Sequence, residues 1–359
     1  MGQRAIKVIS MFLAAHLGLS GIASACAFHN YKPTKTMVDW LLHSDTVALA
    51  RPNTENAFKY SVSAIYRGSD VATEIPFLID SSTRRTLAEN PNDGVLFGFN
   101  NGGVWRRIGY MNTQYRKIAE TVLTRAEEWR SAEFHPERFA FFANYQDHPD
   151  RTIRYLALQE IDRVPYKLLR TMNVRLSERE LMRSLKTMSE INYRSINVLL
   201  LGLKGTDTAR SYVSQQMLRL AKSDLTSELG AVATALVELE GDKGVETLER
   251  LYLNNRTHSL TKLEVIIEAL AIHNEIGTEE VRQAIARVLA DFLSLRPNAA
   301  AIVARQFSSR QDWSFGPKLK ALLASPAPMT ASSRLIASVY VAQARANRDN
   351  AGTKGEISQ

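Results

Sequence analysis

Two hydrophobic rhythms divide this chain. Between Phe58 and Tyr66 the residues Phe58, Tyr60, Val62 and Ala64 alternate with mostly polar ones, the period of a strand with one face buried. From Phe134 almost to Asn347 apolar residues recur instead at three- and four-residue intervals, the period of helices packed on one face. The strand-like part extends from Cys26 to about Asn112. It opens with a short amphipathic helix over Lys35–His43, with Met37, Trp40 and Leu41 on one face. Strands are expected at Thr46–Ala50, Phe58–Tyr66, Glu74–Ile79, Val95–Phe99 and Val104–Tyr110. A helix over Ser82–Glu89 separates the third strand from the fourth. Pro76 places the third at an edge or a bulge. Asn100-Asn101-Gly102-Gly103 supplies a hairpin turn between the last two. Five strands with a helix after the third predict a small OB-type Greek-key barrel.

A linking helix is expected over residues 113–133, with Ile118, Val122 and Ala126 at i, i+4 and i+8. In the helical part, 134–347, one spacing stands out. Gly205-Thr206-Asp207, Gly241-Asp242-Lys243 and Gly277-Thr278-Glu279 are each separated by the same interval. Each Gly is expected to close one helix, and the next Thr or Asp to cap the following one. Downstream columns stay apolar: Ala209, Val245 and Val281; Tyr212, Leu248 and Ala284; Met217, Leu253 and Leu289. Such a period holds two helices and two turns, so the expected architecture is an α-solenoid of helical pairs. The polar stretch 348–359 is expected to be disordered. The fold class is thus multi-domain α+β.

The first 25 residues read as an address. Arg4 and Lys7 precede an apolar run from Val8 to Leu19, and Ser20–Ala25 is a small-residue cleavage region. This is the pattern of a secretory signal peptide, with an apolar run too short to span a membrane. Cleavage removes two bases and no acid, so the charge falls from +8 to +6. The single cysteine, Cys26, follows directly. It is either a free N-terminal residue left by simple secretion or the lipid-bearing residue of a bacterial lipobox, Ala23-Ser24-Ala25-Cys26. One cysteine excludes an internal disulfide framework and multi-thiolate zinc sites.

Two family resemblances sharpen this picture. Cys26, Asp45-Thr46-Val47-Ala48-Leu49-Ala50-Arg51, Phe58–Val62, Ala64-Ile65-Tyr66-Arg67-Gly68 and Val95-Leu96-Phe97 resemble the netrin-like (NTR) fold, which includes the tissue inhibitors of metalloproteinases. That likeness implies a barrel whose N-terminal Cys can contribute to protease inhibition. However, the family ties this Cys into a disulfide, and here no second Cys exists. Asp147-His148-Pro149-Asp150, followed by Ile153-Arg154 and Ala157-Leu158, resembles the turn of a HEAT repeat. The resemblance implies that Asp150 caps the second helix and Arg154 reaches a neighbouring repeat. The whole chain is also similar to a group of proteobacterial exported proteins that open Cys-Ala-Phe-His; that implies an architecture and no activity.

Candidate chemistry is sparse. Cys26 and His29, beside a free α-amine, offer a soft thiolate and an imidazole for copper or zinc. No His-Glu-x-x-His, Gly-x-Ser-x-Gly, Walker loop or Gly-x-Gly-x-x-Gly occurs. The expected function is an exported, non-enzymatic protein-binding scaffold of the periplasm or cell envelope of a Gram-negative bacterium, with no cofactor. Export argues against nucleic acid as a partner, and contact with the membrane is expected only through a lipid on Cys26. Two alternatives are copper or zinc handling through Cys26 and His29, and protease inhibition through the NTR-like domain.

Overall fold

The computed structural model describes residues 35–68, 74–100, 102–131 and 135–356. They are mostly helical, with one small antiparallel sheet, and they form two compact units. One comprises Lys32–Val164 and Met172–Leu176; the other comprises Pro165–Thr171 and the chain from Ser177 onward.

The sheet-bearing unit begins with α1 (Met37–His43). Thr36 and Asp39 start it with a reciprocal capping box, in which the Thr36 N–H donates to the Asp39 carboxylate at 2.9 Å. Then follow β1 (Thr46–Pro52), β2 (Tyr60–Arg67), α2 (Ser81–Glu89), β3 (Gly94–Asn100) and β4 (Val104–Met111). The strand order is β2-β1-β3-β4, antiparallel throughout, with Ala48 opposite Phe97 and Leu49 opposite Leu96. β1 and β3 are central and buried on both faces, which is why they read as near-continuous apolar runs.

The sheet has four strands and is not a closed barrel, which corrects the five-stranded expectation. Glu74–Ile79 is not a strand. Phe77 N–H donates to the Ile75 carbonyl at 2.9 Å, closing a tight turn around Pro76. Only an isolated bridge from Leu78 to Lys59 remains. The alternation in β2 is also not a buried face. Tyr60 is buried, but Phe58 is 52% and Val62 36% exposed. β2 lies at the sheet edge, and two irregularities in its pairing with β1 interrupt its register.

One face of the sheet carries Ala48, Ala50, Tyr60, Val95, Phe97 and Trp105 under Ile75, Ile79 and Leu87. Tyr60 meets Phe97 edge to face at 4.9 Å. The alternate residues Val47, Leu49 and Leu96 are equally buried. α1 and α3 (Thr113–Thr124) pack on the sheet. The linking helix breaks at Arg125 into α3 and α4 (Ala126–Arg130), and α5 (Pro136–Ala143) and α6 (Arg151–Ile161) complete this unit. Residues 113–164 thus belong with the sheet: Trp129 of α4 is buried against Phe141 and Phe142 of α5.

The helical unit starts with the short α7 (Tyr166–Leu169). It continues with α8 (Glu178–Lys186), α9 (Arg194–Lys204), α10 (Asp207–Ala221), α11 (Leu229–Glu240) and α12 (Asp242–Leu248). α13 (Leu260–Ile276), α14 (Glu279–Leu295), α15 (Ala300–Ser308), α16 (Gly316–Ala324) and α17 (Ala331–Glu356) follow. α17 runs past Asn347, where the helical part was expected to end. α9, α11, α13, α15 and α17 pack one on the next, and α12 packs on α14.

Gly205 ends α9 with φ 68° and Gly241 ends α11 with φ 60°, a region that side chains avoid. Thr206 and Thr278 cap α10 and α14. Asp242 does not cap α12, because Gly241 itself occupies the cap position. Every residue of the apolar columns is buried except Tyr212, which is half-buried.

Four side-chain bridges in this unit span 38 to 41 residues. His273 Nε2 meets the Thr234 carbonyl at 2.9 Å, Arg296 the His258 carbonyl at 3.0 Å, Asn274 the Asp312 carboxylate at 2.6 Å, and Arg305 Glu264 at 2.7 Å. α7 and Arg170 behave differently. Arg170 donates to Glu238 at 2.9 Å and to the Ile276 carbonyl at 3.0 Å, while Lys167 pairs with Glu275 at 3.0 Å. These links span 68 to 108 residues.

Candidate functional site

Cys26 and His29 lie outside the described residues, as does the segment 1–25. Gly205, Gly241 and Gly277 end helices in the helical unit. Asp150 and Arg154 lie in the sheet-bearing unit. Asp150 caps α6, accepting from the Thr152 N–H at 2.8 Å. Among the described residues Arg154 makes no hydrogen bond to a neighbouring helix pair. Its guanidinium turns back to donate to the His148 carbonyl at 3.1 Å and lies 5.8 Å from the Tyr155 ring. A carbonyl of its own turn is the acceptor within reach.

The structure brings together a charged cluster that no motif in the sequence marks. Glu160 of α6 is completely buried. Arg138 of α5 donates to its Oε2 from Nε at 2.8 Å and pairs with it through Nη2 at 2.6 Å. Thr36 donates to the other oxygen at 2.5 Å. Asp39 of α1, also buried, accepts from Arg138 at 3.3 Å and from Arg163 at 2.7 Å. Two cations and two anions thus fasten α1, α5 and the end of α6 to one another.

The two acids respond in opposite directions. Burial pushes Glu160 up, against the opposing charges of Arg138 and Arg163 and the Thr36 hydroxyl. Burial also pushes Asp39 up, but the charge and hydrogen bond of Arg163, the Thr36 N–H and Arg138 together hold it below the ordinary carboxylate range. A signal was present in the sequence. Ile153, Leu156, Ala157 and Ile161 mark the buried face of α6, and Glu160 falls on that face. A buried acid demands a buried cation.

A cavity of about 170 Å³ lies beside this cluster's helices. Ile108, Gly109, Tyr110, Asn112, Tyr115, Asp150 and Thr152 line it. It forms where α3 and α6 both begin. Asn112 caps α3 by accepting from the Tyr115 N–H at 2.8 Å, and its amide donates to Asp150 Oδ2 at 2.9 Å. Tyr110 donates to Asp93 at 2.7 Å. The Tyr115 side chain is buried, and its hydroxyl has no hydrogen-bond partner among the described residues. Burial first, then the charges of Asp150 and Glu160, raise this phenol well above its ordinary range, so it stays protonated.

In the helical unit, several large apolar side chains remain in water. Met188, Ile191, Leu218, Leu225 and Leu260 are exposed. On α17, Leu335 is 66% and Val339 38% exposed, one turn apart. Among the described residues no group of three or more His, Cys, Asp or Glu side chains is gathered to hold a metal ion, and no helix is long and apolar enough to cross a membrane. Comparison with family models, curated proteins and solved structures finds no match.

Proposed function

We propose that this chain is an exported, non-enzymatic scaffold that holds a protein partner on its helical unit. In this reading the successive helix pairs form a HEAT-like solenoid, an architecture that offers an extended surface to a partner. The observation that carries the proposal is the pair Leu335 and Val339. They lie one turn apart on the last helix, and both are exposed although apolar. Apolar side chains left together in water are a common mark of a protein interface. Export rests on the leader-like pattern of residues 1–25, and a bacterial envelope is the setting it implies.

The test is crosslinking in envelope extracts with the wild-type chain and with Leu335→Glu/Val339→Glu. Both positions are exposed, so the variant is expected to keep the wild-type circular dichroism and melting curve. The expected result is a defined crosslinked partner that the variant loses. Identical crosslinking by the two proteins, or none by either, refutes the proposal.

A further inference from the structure

The cavity between α3 and α6 lies outside the helical surface proposed above and has its own chemistry. Two helix N-termini converge on it, which would ordinarily favour an anion. Both are already capped, however: Asn112 accepts from the Tyr115 N–H, and Asp150 accepts from the Thr152 N–H. Asp150 brings a full negative charge, and no basic side chain lines the cavity. Its Oδ1 accepts from the Thr152 N–H and its Oδ2 from the Asn112 amide, and a carboxylate has about four lone-pair sites, so acceptor capacity remains.

Tyr115 is the second, independent observation. It is only 7% exposed and lines the cavity, and its hydroxyl has no partner among the described residues. A hydroxyl beside the cavity with no protein partner is open to a ligand's hydrogen bond. Tyr110 adds a second aromatic ring to the lining. A carboxylate with two tyrosine rings is a combination that recognises positively charged nitrogen. At about 30 Å³ for each water-sized group, the cavity has room for roughly five non-hydrogen atoms.

We propose that this cavity binds a primary ammonium group on a short alkyl chain, with Asp150 as its counter-charge and the Tyr115 and Thr152 hydroxyls as acceptors. The ammonium comes either from a free small amine or from a lysine side chain of another protein. Anions are excluded by Asp150.

The test uses the full chain and n-butylammonium, followed by amide and aromatic NMR shifts at Tyr115 and Thr152, with 1-butanol and butyrate as matched neutral and anionic probes. Butylammonium is expected to bind at least about tenfold more tightly than either, a difference of about 1.4 kcal/mol. Asp150→Asn keeps a good helix cap and is expected to weaken binding about tenfold, the same conversion. Tyr115→Phe is expected to weaken it about tenfold or more, the worth of one hydrogen bond to a charged group. Nα-acetyl-lysine methylamide separates the sources. Binding comparable to butylammonium supports a lysine on a protein, and weaker binding supports a free amine. Equal affinity for butanol or butyrate overturns the proposal, as does an Asp150→Asn variant with unchanged affinity. So does the absence of a saturable shift up to about 50 mM, a concentration that would reveal even millimolar binding. The wild-type ranking of the three probes decides the matter even where a variant folds poorly.

Discussion

Removing one charge from the buried cluster tests how the sheet-bearing unit is held together. Consider Arg138→Met. The guanidinium lies within hydrogen-bonding distance of Glu160 and within 3.3 Å of Asp39. With charge centres roughly 4 Å apart and an effective dielectric constant of about 20, the lost attraction is about 4 kcal/mol. That agrees with the roughly 3–5 kcal/mol seen when one partner of a buried pair is removed. Asp39 keeps Arg163 at 2.7 Å, but Glu160 keeps only the Thr36 hydroxyl and Arg163 at 3.8 Å. The penalty therefore falls on Glu160.

Two consequences follow. In Arg138→Met/Glu160→Leu the stranded charge is gone, while Asp39 and Arg163 still neutralise each other. The double variant should recover at least about 2 kcal/mol relative to the sum of the single changes. The single variant should also depend on pH. Losing Arg138 raises the Glu160 pKa in the folded state further above its unfolded value of about 4.3, so the fold binds the extra proton. The defect is then small near pH 4 and grows as pH rises through the folded pKa. Urea unfolding followed by tryptophan fluorescence is a suitable assay, because Trp40, Trp105 and Trp129 lie in this unit. At a slope of about 2 kcal/mol per molar urea, the single variant should lose about 2 M in midpoint at neutral pH. A loss below about 1 kcal/mol, or a double variant whose cost equals the sum, would refute the electrostatic account.

Two further outcomes are expected. Burial holds the His273 pKa down to about 4, and the unfolded side chain titrates near 6.5. Below about 6.5 the unfolded state takes up a proton that the fold resists, so roughly 3 kcal/mol should be lost as pH falls towards 4. His273→Gln should flatten that slope in denaturation curves; an unchanged slope would show that other groups cause it. Separately, a Cβ at Gly244 would meet the Leu236 carbonyl oxygen at 2.8 Å and the Val237 Cα at 2.9 Å, whereas one at Gly205 meets nothing within 4 Å. Gly244→Ala should therefore cost about 2–3 kcal/mol by overpacking, and Gly205→Ala only about 1 kcal/mol through its positive φ. Thermal melts that reverse this order would contradict the close α11–α12 contact.

Much of the helical unit was legible because its signals are local. Gly205 and Gly241 announce helix ends through a backbone conformation that few other residues accept. Thr206 and Thr278 announce starts through side chains that bond three residues on. The sheet was less legible because pairing is not local. Nothing near Phe58 or Val62 states that β2 lies at an edge, and the alternation there is the same whether a neighbour covers it or water does. Pro76 signals an irregularity, but its tight turn depends on Ile75 and Ile79 being drawn into the core. The charged cluster bonds residues 124 positions apart, so no window of sequence contains it. Of the cavity, only Asp150 stands out in the sequence, as a helix cap; its neighbour Asn112 is supplied from 38 residues earlier.

The order in which the chain visits its two units has a practical result. It leaves the sheet-bearing unit after Val164, spends Pro165–Thr171 in the helical unit, returns for Met172–Leu176, and leaves again at Ser177. No single cut can separate the units. A fragment ending at Val164 lacks the Asn173 carbonyl that receives the Gln146 amide and the Arg175 that pairs with Asp147. A fragment beginning at Ser177 lacks the α7 strap, leaving Glu238 without the Arg170 bridge and the Ile276 carbonyl without its donor. The halves are interleaved along the chain, and a truncation at either end of the excursion inflicts a defined wound on one of them.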